Sequence, residues 1–178
     1  MKKQRNIVLF LVKFFATYFI LFVLYSYYLQ KTQNKEDFFS CAPITASVAK
    51  QTTSVLNLFG YKASYVQHDK EMSVKLILNG NYTARVIEGC NSFSIIILFL
   101  AFIIAFPGSL KATVLYSITG SLLIYGINIL RIAFLTVMLY KLPNQQMFLH
   151  NLVFPAIIYG ATFLLWVLWV HKFSNYKK

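Results

Sequence analysis

Apolar residues crowd into four runs separated by polar stretches. The first is Ile7–Leu29, with Lys13 as its one charge. The second is Phe93–Phe106, extended at its start by Cys90–Ser92; the third runs from Ala112 to about Tyr140, and the fourth is Leu152–Val170. A helix crossing a bilayer needs about 20 residues, so each run is a candidate span, and the second is the shortest. The link Pro107-Gly-Ser-Leu-Lys111 turns the second and third runs into a hairpin. Between the first and second runs the period changes. Ile44, Val48, Val55 and Phe59 recur at helical spacing after Ser40-Cys-Ala-Pro43 and before Gly60, predicting an amphipathic helix that lies on the membrane surface. Tyr61–Val66 reads as a strand. Met72, Val74, Leu76 and Leu78 alternate with Ser73, Lys75 and Ile77, Asn79-Gly80 signals a hairpin, and Tyr82, Ala84 and Val86 alternate again. The expected fold is an all-α polytopic membrane protein with about four transmembrane helices and a small extracytoplasmic α+β segment.

Composition places the chain in the membrane class. It is 58% hydrophobic and only 12% charged, about half the charge of a water-soluble domain. The basic start Lys2, Lys3 and Arg5 suits a signal peptide, but the apolar part is too long and no A-x-A-like site follows Leu29, so the first run reads as an uncleaved anchor. The net charge of +12 is mainly a topology signal. All five acidic residues (Glu36, Asp37, Asp69, Glu71, Glu88) fall between the first two runs, while the N-terminal tail, the 107–111 link and the C-terminal tail are purely basic. The positive-inside rule puts those three on the cytoplasmic side and residues 30–89 outside. No basic stripe supports nucleic-acid binding. The expected division is 1–29 tail and anchor, 30–89 extracytoplasmic helix and β-hairpin segment, 90–171 catalytic transmembrane core, and 172–178 basic cytoplasmic tail.

This layout brings three reactive residues to one face. Cys90 precedes the second run and His150 the fourth. Arg131 lies about 20 residues beyond Lys111, roughly 30 Å along a helix and so at the opposite edge of the hydrocarbon. Each has a plainer reading: a small residue in a membrane helix, a snorkelling cation, an interfacial imidazole. Asn128 lies one turn below Arg131, and such a pair on an apolar helix favours the bundle interior. Glu88 either orients a partner or faces water. His68 and His171 lie in a polar turn and beside Lys172. No metal-ligand spacing and no glycine-rich phosphate loop occurs, and no cofactor is expected.

Glu88-Gly-Cys-Asn-Ser92 before a span, Asn128-Ile-Leu-Arg-Ile132 late in a span and His150 before the last span resemble the exosortase/archaeosortase family, and the separate outer segment is similar to the exosortase F subtype of Bacteroidetes. The resemblance covers about residues 86–170. Many members carry Gly two places after the Cys, where this chain has Ser92. The resemblance implies a membrane-embedded cysteine peptidase or transpeptidase acting on exported proteins that end in a short motif, a transmembrane helix and a basic tail. Cys90 would be the nucleophile, Arg131 would stabilise the thiolate and oxyanion, His150 would serve as general acid/base, and Asn128 and Glu88 would support them. An amine acceptor or water would resolve the acyl-enzyme. The setting implied is the cytoplasmic (inner) membrane, with the active site on its outer face. Cys41 shares the outer segment, where disulfides are permitted, and a Cys41–Cys90 bridge is not expected in the working state. Two rival classes are a non-enzymatic membrane scaffold and a small transporter component. The spans carry no acidic residue and no repeated half, which disfavours transport.

Overall fold

The computed structural model describes residues 2–33, 40–106, 108–145, 148 and 152–173. Its elements are α1 (Lys2–Thr32), α2 (Pro43–Leu58), β1 (Ala63–Gln67), β2 (Ser73–Leu78), β3 (Asn81–Ile87), a 3-10 turn (Glu88–Cys90), α3 (Phe93–Ala105), α4 (Leu110–Lys141), a second 3-10 turn (Pro143–Gln145) and α5 (Phe154–Lys172). The protein is mostly helical with one small sheet.

Three stretches are long and apolar enough to cross a membrane: Gln4–Thr32, Leu110–Lys141 and Pro155–Lys172. The second apolar run is not among them. It forms a helix of 13 residues, about 20 Å long against roughly 30 Å of hydrocarbon. Its two ends explain the difference from the expected four. Ser92 adopts the left-handed region at φ 66°, which starts the helix only at Phe93. Phe106 is extended at ψ 134°, as the residue before a proline prefers.

The helices pack through aromatic side chains. Phe10 of α1 meets Phe102 and Phe106, and Tyr25 stacks on Phe93 at 5.7 Å between ring centroids, so α1 and α3 run antiparallel. Gly120 lets α4 approach the fully buried Phe99 ring of α3; a Cβ there would lie 2.3 Å from a ring carbon. Tyr116 donates its hydroxyl to the Leu165 carbonyl at 2.7 Å and packs on Trp169, joining α4 to α5. The basic ends therefore gather at one end of the bundle. Asn6, Phe10 and Lys13 share a recess there with Phe106 and Val170, and Lys111 opens α4 while Lys172 closes α5.

At the other end α4 continues about 15 Å past Arg131. This extension carries the outer layer. Ile132 and Leu139 pack into a cluster with Val48 and Ala49 of α2 and Val74, Leu76 and Val86 of the sheet. Ala133 and Val137 pack with Leu56 and Leu78. The sheet is antiparallel in the order β1-β2-β3. The expected alternation holds at Val74, Leu76, Leu78, Ala84 and Val86, all buried. Tyr82 departs from it and is exposed, because an irregularity between Leu76 and Ile77 shifts the register just before Ala84. Asn79 and Gly80 both take positive φ, 51° and 84°, the signature of the tight hairpin turn expected from Asn-Gly. Pro43 opens α2, as its place in the first turn suggests.

Candidate functional site

Cys90 is the last residue of the 3-10 turn that connects β3 to α3. Its backbone is clamped from α4: the Asn128 side-chain amide donates to the Cys90 carbonyl at 2.7 Å. One turn further along α4, the Arg131 guanidinium lies near the Cys90 side chain. Tyr159 of α5 lies near the same guanidinium. Asn128 is fully buried. Its Oδ1 and the Arg131 Nε are buried polar atoms with no hydrogen-bond partner among the described residues. Buried groups of this kind are normally satisfied, so the pair offers an unfilled acceptor and an unfilled donor beside the thiol.

Glu88 has a different place from its sequence neighbours. Its carboxylate accepts from the Ala42 N–H at 2.8 Å and from the Thr45 hydroxyl. It thereby caps α2, whose own N-cap, Ala42, has no side chain able to do so. The negative charge also suits the positive end of the helix dipole. The cap comes from Glu88, 46 residues further along the chain than Ala42.

Asn91, immediately after Cys90, ties this cap to α1. It is 1% exposed. Its amide donates to the Tyr25 hydroxyl at 2.6 Å, the Thr45 hydroxyl at 3.2 Å and Glu88 at 3.4 Å, and its Oδ1 accepts from the Phe93 N–H at 3.1 Å. Sequence reasoning passed over Asn91, Thr45 and Tyr25. The signal for Asn91 was present in the polar run Glu88–Ser92 at the mouth of an apolar helix. Nothing local marks Thr45 or Tyr25, whose roles depend on contacts across the fold.

His150 lies outside the described residues. His68 accepts from the Lys70 N–H at 3.1 Å within its turn, and His171 pairs with the Val167 carbonyl at 2.9 Å at the end of α5. Cys41 and Cys90 are both free thiols. Cys41 is buried, with the Gln67 amide donating to its Sγ at 3.7 Å. Burial pushes the Cys41 thiol above its ordinary range, and the Gln67 hydrogen bond opposes this only in part.

The model of the transmembrane exosortase family matches residues 7–170, nearly the whole chain and well beyond the stretch that carries the motifs. The chain belongs to the transmembrane exosortase family. Membership points to a membrane transpeptidase or protease that sorts proteins. No curated protein and no solved structure matches this exosortase at a significant level.

Proposed function

We propose that this exosortase is a membrane-embedded cysteine peptidase or transpeptidase that cleaves the C-terminal sorting signals of exported proteins. The observation that carries the reading is the Asn128 amide bracing the Cys90 carbonyl, with the Arg131 guanidinium near the thiol, in a chain of this family. Cys90 is the nucleophile. A free thiol titrates near pH 8.5, about a pH unit or more above neutrality, so the sulfur needs a base or a positive neighbour. His150 takes the thiol proton, and the sulfur attacks the scissile carbonyl. Arg131 balances the charge on the sulfur and then on the carbonyl oxygen. Collapse of the tetrahedral adduct breaks the C–N bond, and His150 returns its proton to the leaving amine. An amine acceptor, or water, attacks the thioester and frees the thiol.

In the same reading both termini are cytoplasmic and residues 30–89 face outward from the cytoplasmic membrane. The gathering of basic ends at one end of the bundle and of α2, the sheet and Cys90 at the other supports this sidedness. α3 reaches from the level of Tyr25 to the level of Phe10, so the Cys90 turn sits within the outer leaflet rather than above it.

The test expresses variants with an epitope-tagged exported protein that ends in a helix and a basic tail. Loss of that helix is followed by gel shift and the cleavage site is mapped by mass spectrometry. Cys90→Ser abolishes processing and His150→Ala nearly does, while membrane levels persist. Continued processing by Cys90→Ser would leave a scaffold role as the better account.

A further inference from the structure

The turn that carries Cys90 is the direct continuation of a strand whose outer side pairs with no other strand among the described residues. β3 is an edge strand, and at Ile87 it passes into Glu88–Cys90. The ladder fixes which of its backbone groups face outward. On the β1 side, the Asn79 N–H donates to the Lys62 carbonyl at 2.8 Å and the His68 N–H to the Ser73 carbonyl at 2.9 Å. Hydrogen-bonded pairs alternate along an antiparallel ladder. Ser73, Lys75 and Ile77 therefore turn their backbone to β1, and Val74 and Leu76 turn theirs to β3. The partners of these last two are Val86 and Ala84. The N–H and C=O of Arg85 and the N–H of Ile87 are left directed at this edge, while the Ile87 C=O is taken up by the 3-10 turn that follows.

The flank of α4 beside this edge leads to the same place. Ile132 and Leu139 face the cluster beneath the sheet. At about 100° per residue, Asn128, Arg131, Leu135 and Met138 form the adjoining stripe. Leu135 and Met138 are half-buried. At the upper end of this stripe lies a recess of ≈ 280 Å³, lined by Tyr82, Thr83, Leu139 and Tyr140 among others. At its lower end lie Cys90 and Arg131.

We propose that the open edge of β3 is the docking strand for the extended peptide segment of the exported protein that precedes the cleaved bond. This rests on the peptidase reading above and adds how the peptide is held. An edge strand offers donors and acceptors at a spacing that only an extended backbone matches. A peptide paired here is guided along β3 to the thiol, because the strand and the nucleophile turn are one piece of chain. In the proposed topology β3 descends toward the bilayer, as does an exported chain whose C-terminal helix is in the membrane, so the pairing is parallel. Pairing through the backbone admits varied side chains, and the recess by Tyr82 receives one side chain well upstream of the bond.

The probe is a fluorescent soluble peptide of about ten residues, enough to cover the strand, copied from the sequence before the mapped cleavage site. Its binding to detergent-solubilised Cys90→Ser protein is read by anisotropy, which needs no catalysis. The peptide is then N-methylated at alternate positions in two phases. The phase that faces β3 weakens binding about three- to tenfold for each lost hydrogen bond, and the other phase leaves it unchanged. Equal losses in both phases, or none, overturn the proposal. In the full-length enzyme, Arg85→Pro removes one outward N–H without touching the β2 ladder. It raises KM for the tagged exported protein at least threefold over Arg85→Ala, which also lacks the ion pair to Glu71. Equal processing by the two variants counts against edge pairing. So does a disulfide-linked dimer of Arg85→Cys that excludes the peptide, which would give the edge to a second copy of the chain. Should cleavage survive Cys90→Ser while the two-phase pattern holds, the peptidase reading falls and the docking strand stands.

Discussion

Ser92 offers a sharp test of how the nucleophile turn is built. It is 3% exposed and sits at φ 66°, ψ −3°. An L-residue other than glycine is disfavoured there by about 1–2 kcal/mol. Its hydroxyl offsets part of this by donating to the Asn91 carbonyl at 2.6 Å, a contact of about 1 kcal/mol. Ser92→Gly removes the strain and the hydrogen bond together and loosens the unfolded chain, so its stability stays within about 1 kcal/mol of the parent. Ser92→Ala keeps the strain and loses the bond, a loss of about 1 kcal/mol. Ser92→Val keeps the strain, adds a β-branch in a region hostile to it and forces bulk into a buried site, a loss of about 3 kcal/mol or more. At roughly 2–4 °C per kcal/mol for a chain of this size, glycine leaves the midpoint within about 4 °C. Valine lowers it by roughly 6–12 °C or more. Tryptophan fluorescence during thermal unfolding in detergent reads this order, and the rate of Cys90 alkylation reports whether the turn keeps its shape. A valine variant that melts with the glycine variant would show that the left-handed conformation does not constrain this turn. The same reasoning accounts for the glycine that many family members place here.

Further outcomes follow from the same geometry. Arg131→Lys and Arg131→Ala both lose processing with membrane levels kept, because a lysine cannot reproduce the planar fork beside the thiol; near-normal processing by the lysine variant would mean that charge alone matters. Cys41→Ser keeps processing. With its thiol pushed up by burial, the protonated form of Cys41 is the one the folded state favours. Its contribution to stability is complete below the ordinary thiol range and is lost as pH rises through the folded value. Alkylation of Cys41 by iodoacetamide therefore lags a free cysteine between about pH 8 and 9, and parity would show that the site is not desolvated. Gly120→Ala drives a methyl into the Phe99 ring and lowers stability by about 1–3 kcal/mol, read as a drop in the melting midpoint; an unchanged midpoint would mean that α3 and α4 separate freely. In a Cys41→Ser/Cys90→Ser background, membrane-impermeant maleimide labels Asn34→Cys but not Asn175→Cys in cells whose outer membrane, if present, is permeabilised. The opposite pattern inverts the topology.

Membrane class, the three long helices, the hairpin at Asn79-Gly80 and the position of Cys90 at the entrance of an apolar helix were legible in the sequence. Each depends on local pattern: hydropathy over some 20 residues, alternation with period two, and a dipeptide suited to positive φ. The pairing of Asn128 and Arg131 with Cys90 was half legible, since helical periodicity aligns the first two and span connectivity brings the third to their level. The cap of α2 by Glu88, the bridge from Asn91 to Tyr25 and the docking of the sheet on the far end of α4 were not. They join residues 40 to 90 positions apart, and no local pattern encodes which buried polar group will meet which. The length of α3 also belongs to tertiary structure. Composition marks Phe93–Phe106 as apolar, but only the left-handed turn at Ser92, held by Asn91 and by Asn128 on the Cys90 carbonyl, decides where the helix begins.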